Sequence, residues 1–210
     1  MPRALVLATG NPGKLAELLR GLEPPSRSGT IELLTPSSFP SVPFPPETGS
    51  SYRENATAKA QWWACRTDQL ALADDSGLEV AWLAGAPGVH SDSWAGPGAS
   101  SMENNRRLLE ALQGAADRRA VFRCCLALAW PDGRLRHFEG ACEGTITERA
   151  RGRNGFGYDP LFLVPAHGLT LAELAQEDKD RLSHRGRALG ALRRFLESEP
   201  EAIEGTRGCG

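Results

Sequence analysis

The hydrophobic pattern of the N-terminal region predicts a strand, a glycine turn, a helix and a second strand. Residues 4–8 are uniformly apolar, as in a buried strand, and residues 9–13 contain two glycines and a proline. Apolar residues recur at helical spacing over residues 14–19, and residues 30–35 favour another strand. The chain therefore begins with a strand that leads through a glycine loop into a helix.

The middle of the chain alternates between loops and regular elements. Residues 36–50 hold five prolines and are predicted to be a loop. Helical spacing resumes over residues 51–67, and a buried strand is predicted at 70–73, ending in the polar sequence of residues 74–77. A further helix is predicted over residues 101–113. Its apolar stripe consists of Met102, Leu108, Leu109 and Leu112.

The second half of the chain favours antiparallel strands. Residues 120–130 and 135–146 are predicted strands, joined by a proline, aspartate and glycine turn at 131–134 that is typical of a hairpin. Another strand is predicted at 161–164. This mixture of strands, hairpin and helices predicts an α/β fold with a mixed β-sheet rather than a purely parallel one.

Two hydroxyl residues mark the predicted starts of the last helices. Thr170 and Glu173 have the spacing of a capping box, which favours a short helix there. Ser183 is a candidate cap for a final helix over residues 184–197.

Length and composition favour one globular domain. The 210 residues suffice for a single substantial core, and we expect the domain to span residues 1–198, with residues 199–210 as a disordered tail. Apolar residues at 40% and charged residues at 24% are an ordinary globular balance. No apolar run approaches the roughly 18 residues that span a bilayer, and the N-terminal run is too short for a signal peptide. We expect a cytoplasmic protein with no membrane partner.

The net charge and the cysteine content indicate which binding partners and which thiol redox state to expect. A net charge of −2 lacks the broad positive field of proteins that bind nucleic-acid polymers, so any phosphate site should be local. The five cysteines are odd in number and form no C-x-x-C pair, so we interpret them as reduced thiols.

Lysine is rare in this chain. Of 24 basic side chains only Lys14, Lys59 and Lys179 are lysine. Because lysine is a compact point charge and arginine a planar fork, the two differ where a cation fits closely against a phosphate or a tight polar site. The three lysines therefore indicate candidate site positions, although a compositional bias that leaves lysines at random is an open alternative.

The glycine loop after the first strand is a candidate phosphate site. The start of a helix leaves unpaired backbone N–H groups and favours an anion, and Lys14 adds a full charge there. Thr9 and Asn11 add short polar groups that can reach phosphate oxygens. The loop is not a Walker A motif, because Gly10 to Gly13 is too short and Leu15 replaces the hydroxyl residue. A simple tight turn is the alternative.

Two adjacent acids after the predicted strand at 70–73 are candidate metal ligands. The carboxylates of Asp74 and Asp75 suit Mg²⁺, which prefers oxygen ligands and bridges to phosphate. One carboxylate can then orient or deprotonate a water. Glu47 offers a third carboxylate from the proline-rich loop. Solvated acids in an Asx-type turn are the alternative.

Two blocks near the C-terminus suit a flat base with a carbonyl group. Residues 156–159 place aromatic side chains beside a glycine, which lets a flat ring approach the backbone. Residues 183–185 supply a hydroxyl, an imidazole and an arginine within one turn, and such donors suit a carbonyl acceptor. The alternatives are that Phe156 and Tyr158 are core aromatics and that Ser183 is only a cap.

Together these blocks resemble the inosine triphosphate pyrophosphatase family, also called Ham1 or non-canonical purine NTP pyrophosphatases. The matching blocks, in the family's order, are residues 7–14, 47–49, 54–56 with 59–60, 73–78, 85–89, 155–160 and 183–186. The resemblance implies an elongated mixed sheet flanked by helices, with two lobes and the nucleotide in the cleft between them, and a homodimer. It also implies Mg²⁺-dependent cleavage of ITP, dITP and XTP between the α and β phosphates, giving the monophosphate and pyrophosphate.

The resemblance also implies roles for individual residues. The phosphates would be held by Thr9, Gly10, Asn11, Pro12, Gly13 and Lys14. Glu47 and Asp75 would bind the metal, with Asp74 as a further candidate, and Asp75 would be the base that activates water. The remaining substrate contacts would be Ser76, Phe156, Gly157, Tyr158, Asp159, Lys179, His184 and Arg185.

One block departs from the family pattern. After Gly88 and Val89 the family commonly has a tyrosine and then Ser-Ala-Arg, whereas this chain continues with residues 90–94, His-Ser-Asp-Ser-Trp. The basic side chain expected at Ser93 is missing. Arg53, Arg106 or an arginine of a partner subunit are candidates to replace it.

The implied selectivity has a simple chemical basis. Deamination changes the purine C6 substituent from an amino donor to a carbonyl acceptor. Donors such as Arg185 and His184 would pair with inosine or xanthosine and would face another donor in adenosine. A site built on hydrogen bonds rejects such an analogue by on the order of 10⁴ to 10⁵.

Two other functions remain open from the sequence. A Maf-like pyrophosphatase acting on modified or pyrimidine triphosphates would share the phosphate chemistry but should lack the Ser-His-Arg block at 183–185. A non-catalytic nucleotide sensor would need the glycine loop and an aromatic residue but not Asp74, Asp75 and Glu47. The presence of these acids favours catalysis.

Overall fold

The computed structural model describes residues 3–22 and 31–199. Within these ranges the chain forms two compact units, one drawn from residues 3–22, 31–74, 125–139 and 188–199, the other from Asp75–Cys124 and Gly140–Arg187. The expected single domain over residues 1–198 stays a prediction. Apart from Glu199, the predicted tail at 199–210 lies outside the described residues. No helix in the described ranges has the length and apolar character needed to cross a bilayer.

Seven strands, five α-helices and three short 3-10 helices make up the regular structure of the described ranges, the 3-10 helices being Pro36–Ser38, Ala81–Leu83 and Gly88–Ser93. The strands are β1 (Arg3–Leu7), β2 (Ile31–Leu34), β3 (Leu70–Val80), β4 (Arg119–Ala129), β5 (Leu135–Ile146), β6 (Phe162–Val164) and β7 (Leu169–Thr170). The helices are α1 (Pro12–Leu22), α2 (Tyr52–Thr67), α3 (Ser101–Ala111), α4 (Gln176–Leu182) and α5 (His184–Ser198).

The strands form one mixed sheet in the order β2-β1-β3-β4-β5-β6-β7. β1 is parallel to both β2 and β3, whereas β6 is antiparallel to β5 and β7. At the turn between β4 and β5, the Trp130 N–H donates to the Arg134 carbonyl at 3.0 Å, closing the predicted hairpin. The predicted α/β fold with a mixed sheet is therefore confirmed.

The core of the first unit is built from small residues around one large ring. Ser51 caps α2 by accepting a hydrogen bond from the Glu54 N–H. The apolar side chains that α2 buries are Ala56, Ala60, Trp63 and Ala64, which recur at helical spacing. They pack with alanines of β3 and β4, and these short side chains let the helix approach the sheet closely.

The core of the second unit is richer in large side chains. Leu108 and Leu112 pack in one cluster with Phe122, Ile146 and Phe162. A capping box between Ser100 and Glu103 begins α3. Met102 was predicted to share the apolar stripe of this helix, but its position in the first turn leaves it 78% exposed.

Two element predictions are wrong. The strand predicted at 70–73 continues as β3 to Val80, so the acidic residues 74–77 lie inside a strand and not after its end. The capping box predicted at Thr170 begins no helix, because Thr170 belongs to β7 and the next helix, α4, begins at Gln176. Glu173 instead accepts the Thr170 N–H at 2.8 Å and stabilises a turn.

Candidate active site

The glycine loop between β1 and α1 is organised by its own side chains. The Asn11 Oδ1 accepts the N–H groups of Gly13 at 2.9 Å and Lys14 at 3.1 Å. The Asn11 N–H in turn donates to the Thr9 Oγ1 at 3.2 Å. Asn11 is thus a cap of α1, which begins at Pro12. Backbone N–H groups at the start of α1 were expected to face an anion. Two of them, those of Gly13 and Lys14, instead donate to the Asn11 side chain.

Lys14 binds the first of the two adjacent acids. Its Nζ lies 2.6 Å from the Asp74 Oδ1, and the Asp74 side chain has no exposed surface. The pairing follows from the sheet, since β1 lies beside β3 with Leu7 opposite Leu72. The end of β1 therefore delivers the glycine loop to Asp74. A buried carboxylate needs such a partner, because an unpaired charge in the interior is strongly disfavoured.

Lys59 connects the proline-rich loop to the same strand. Its Nζ makes an ion pair with the Glu47 carboxylate and donates to the Asp74 carbonyl at 3.0 Å. The Lys59 side chain is 7% exposed, whereas that of Glu47 is 42% exposed. The first unit thus brings together two lysines and two of the predicted metal-binding acids.

Asp75 is also buried, with 4% exposure, and it begins the second unit. Successive side chains of a strand alternate between its two faces. Because both acids lie inside β3, their carboxylates belong to different faces and can have different roles. Asp74 binds Lys14. The described residues contain no group of three or more His, Cys, Asp or Glu side chains arranged to hold a metal ion. Mg²⁺ commonly takes only one or two carboxylates together with substrate phosphates and waters, so oxygen donors such as Glu47 and Asp75 fit it chemically.

The predicted base-binding block at 155–159 is a tight loop built around a buried ion pair. The Lys179 Nζ lies 2.6 Å from the Asp159 Oδ2, and both side chains are nearly inaccessible. The same carboxylate oxygen accepts the Phe156 N–H at 2.9 Å. Gly155 has φ +77° and faces Asp159 so closely that a side chain there would collide with the carboxylate. Asp159 and Lys179 therefore fix the backbone that carries Phe156.

Two cations lie near the Phe156 ring. The Lys179 Nζ is 5.2 Å and the Arg185 guanidinium carbon 5.6 Å from the ring centroid. Arg185 is 2% exposed, and its Nη2 donates to the Ser76 Oγ at 2.8 Å. The second unit thus brings Ser76, Phe156, Lys179 and Arg185 together. Their role in binding a substrate stays a prediction.

His184 and its neighbours are ordered by the junction of α4 and α5. The His184 ring stacks on Phe122 with centroids 4.6 Å apart and an interplanar angle of 8°. Ser183 ends α4, and its Oγ accepts the Gly186 N–H at 3.1 Å. A side chain at Gly186 would overlap the Asp180 carbonyl, so this junction requires glycine.

Tyr158 is used inside the second unit. It is 5% exposed, belongs to the core cluster, and donates its hydroxyl to the Ser91 carbonyl at 2.7 Å. Burial raises the pKa of this phenol. These contacts are those of a core aromatic, and a substrate contact of Tyr158 stays a prediction.

Two contacts at the site were missed in the sequence. The Phe44 ring covers Gly10, such that a Cβ at Gly10 would lie 3.3 Å from two ring carbons. The Asn105 Nδ2 donates to the Gly157 carbonyl at 3.0 Å and thereby ties α3 to the base-binding loop. No local sequence pattern indicates either contact, because each joins residues that are more than 30 positions apart in the chain.

Arg53 and Arg106, named above as replacements for the missing basic side chain at Ser93, have contacts of their own. Arg53 pairs with Glu139 at 2.7 Å, and Arg106 lies 3.8 Å from Glu110. The replacement of the basic side chain therefore stays a prediction.

Comparison with known proteins gives one consistent family. A sequence model of the Ham1 family matches residues 5–195. The chain is 48% identical over 193 residues to a dITP/XTP pyrophosphatase of Syntrophobacter fumaroxidans, covering 92% of this chain and 82% of the relative. It is also 48% identical over 202 residues to a dITP/XTP pyrophosphatase of Thermus thermophilus, with 95% of each chain covered. The solved structure of a HAM1 protein from Coxiella burnetii superposes with a TM-score of 0.84 at 44% identity, covering 93% of this chain and 99% of that one.

Proposed function

This chain belongs to the Ham1 family, and we propose that it hydrolyses the non-canonical purine nucleoside triphosphates dITP, ITP and XTP to the monophosphate and pyrophosphate. The observation that carries the proposal is the match to dITP/XTP pyrophosphatases over nearly the whole chain. Lys14, Lys59 and Glu47 of the first unit and Asp75 of the second would serve the phosphates, and the second unit would also provide donors and an aromatic ring for a base.

The phosphates would be bound by the glycine loop and Lys14. The ammonium group of Lys14 is fixed by Asp74, so it is in place before a substrate arrives. Preorganised charge of this kind stabilises the negative charge that develops as pyrophosphate leaves. Because Asn11 caps the helix through its side-chain oxygen, its proposed contact with phosphate would use the Nδ2 donors.

Glu47 and Asp75 would hold Mg²⁺, which would neutralise part of the triphosphate charge when bound. Asp75 would also accept a proton from the attacking water. The water oxygen forms a bond to the α phosphorus, the bond from that phosphorus to the bridging oxygen breaks, and pyrophosphate departs with the bonding electron pair. A positioned general base of this kind contributes about 10²- to 10⁴-fold to the rate.

The base would be recognised in the second unit. Arg185 and His184 are donors suited to a purine C6 carbonyl, and Phe156 offers a flat apolar surface. Both donors are buried, so the amino group of adenine in place of that carbonyl would leave the two donors unpaired. This arrangement favours a deaminated purine over the modified or pyrimidine bases of a Maf-like enzyme.

We further propose a cytoplasmic homodimer. None of the four cysteines within the described ranges forms a disulfide, which supports a reducing compartment.

Product analysis with a catalytic variant tests the proposal. Purified protein incubated with dITP and Mg²⁺ should release dIMP and pyrophosphate, separable by anion-exchange chromatography. Asp75→Asn should lower kcat by about 10²- to 10⁴-fold while retaining dITP binding and the unfolding temperature, because the amide keeps the shape but cannot accept the proton. Release of dIDP and inorganic phosphate would contradict the proposed bond cleavage. Near-wild-type turnover of the variant would contradict the role of Asp75.

A further inference from the structure

The proline-rich segment of residues 39–50 carries Glu47 but has little backbone structure of its own. It contains four prolines, which lack an N–H group, and it forms no strand or α-helix. A segment of this kind cannot be held by a ladder of backbone hydrogen bonds. Its position must depend on contacts with side chains of other elements.

The first contact is made by Trp62 of α2. The indole Nε1 of Trp62 donates to the Pro43 carbonyl at 2.7 Å. The guanidinium of Arg66, one helical turn further on, lies 3.2 Å from the centroid of the same indole. Stacking on Arg66 fixes the plane of the ring, so the N–H is aimed at the segment.

The second contact is aromatic. The Phe44 ring meets the Trp63 ring edge-on, with centroids 5.2 Å apart. The same Phe44 ring also covers Gly10 of the candidate phosphate loop. The segment is therefore packed between α2 and the loop that precedes α1.

The third contact lies beyond Glu47. The Gly49 N–H donates to the Asn55 Oδ1 at 2.8 Å, and the Ser50 N–H donates to the Glu54 carboxylate at 2.8 Å. The Ser50 hydrogen bonds hold the pKa of the Glu54 carboxyl below its ordinary value. The segment is thus fixed on both sides of Glu47.

Three of the side chains that contact the segment lie on one face of α2. Asn55, Lys59 and Trp62 are four and three residues apart, the spacing that aligns side chains on one side of a helix. Along this face Asn55 binds Gly49, Lys59 binds Glu47, and Trp62 binds the Pro43 carbonyl.

We propose that Trp62 is a positioning residue that anchors residues 39–50 on α2 and thereby sets the position of the Glu47 carboxylate. The inference rests on the proposed function in one respect, the role of Glu47 as a metal ligand. Trp62 is not among the residues proposed to bind the substrate or the metal. Loss of its indole N–H releases the segment at Pro43, so Glu47 spends less time in the geometry that a metal requires.

A second tryptophan, Trp94, provides a matched control outside residues 39–50 and α2. Trp62→Phe removes the N–H that binds Pro43 and keeps an aromatic ring for Arg66 to stack on. Trp94→Phe removes an indole N–H that is buried and has no hydrogen-bond partner among the described residues, and it keeps an aromatic ring beside Arg107. Both variants shrink a tryptophan that lies against an arginine, but only the first breaks the anchor.

Two measurements distinguish an effect on the position of the segment from an effect on catalysis. Hydrogen–deuterium exchange of peptides covering residues 39–50, measured without nucleotide or metal, reports whether the segment is held. The Mg²⁺ concentration for half-maximal pyrophosphate release from dITP reports whether Glu47 is in place. Trp62→Phe should speed exchange in this segment and raise the half-maximal Mg²⁺ concentration about tenfold, which corresponds to about 1.4 kcal/mol. Trp94→Phe should lower the unfolding temperature and leave both quantities unchanged.

Unchanged exchange in Trp62→Phe would overturn the anchor. Faster exchange with an unchanged Mg²⁺ requirement would overturn the link between the anchor and Glu47. If the wild-type protein released no pyrophosphate from dITP, the proposed function would fail, and the exchange measurement would still decide whether Trp62 anchors the segment.

Discussion

At the scale of single residues, the rare lysines of this chain share one environment. Each places its ammonium group against a carboxylate of its own unit, and each is largely buried. The pairs are Lys14 with Asp74, Lys59 with Glu47, and Lys179 with Asp159. A compact ammonium group fits such enclosed positions, whereas a planar guanidinium needs a wider, forked partner. The common environment argues against lysines left at random by compositional bias.

Exchange of lysine for arginine tests this explanation. Lys14→Arg keeps the charge, but the larger group cannot occupy the same position 2.6 Å from the buried Asp74 carboxylate. We expect kcat/KM for dITP to fall about tenfold or more, equivalent to about 1.4 kcal/mol of transition-state stabilisation. The reverse exchange at the exposed Arg20 of the same helix, Arg20→Lys, should leave the kinetics unchanged. Equal kinetics for Lys14→Arg and the wild type would show that the choice of lysine has no functional cause.

At the scale of elements, the base-binding loop depends on one glycine. Gly155 adopts φ +77° and packs against the Lys179–Asp159 pair, which also holds the Phe156 N–H. The position of the Phe156 ring is therefore set by a backbone conformation that other residues rarely adopt. The loop combines a required glycine with a buried ion pair.

Gly155→Ala should weaken substrate binding more than it slows the chemical step. The added Cβ would displace Asp159 and with it Phe156, so we expect KM for dITP to rise about tenfold with a smaller change in kcat. Gly168→Ala is the control, because Gly168 has φ +65° but open space around a Cβ. Both variants should lose more than about 1 kcal/mol of stability from backbone strain, measurable by urea unfolding. Equal KM values in the two variants would contradict the role of the loop.

Local patterns in the sequence predicted most elements but few of the contacts that build the site. The helices at α1, α2 and α5 and the hairpin of β4 and β5 follow from apolar spacing and turn residues. The extension of β3 through Asp74 does not follow from such local patterns. Burial of this acid depends on Lys14, and it is the parallel pairing of β1 and β3 that places Lys14 beside it. At Thr170 a local pattern was present but predicted the wrong structure. The spacing of Thr170 and Glu173 is that of a capping box, yet their hydrogen bond stabilises a turn after β7 and begins no helix.

At the scale of the whole molecule, β3 passes from one compact unit to the other between Asp74 and Asp75. The residues proposed to act on the phosphates lie mainly in the first unit, and those proposed to recognise the base lie in the second. Each group is held by its own internal contacts. Substrate selectivity and bond cleavage should therefore respond to different sets of substitutions.

The proposed selectivity is tested by measuring kcat/KM for pyrophosphate release from ITP, dITP, XTP and ATP at one Mg²⁺ concentration. We expect the values for the three deaminated purine nucleotides to exceed the value for ATP by on the order of 10⁴, because ATP would leave buried donors facing an amino group. Hydrolysis of ATP as efficiently as dITP, or no pyrophosphate from any of the four, would contradict the proposed function.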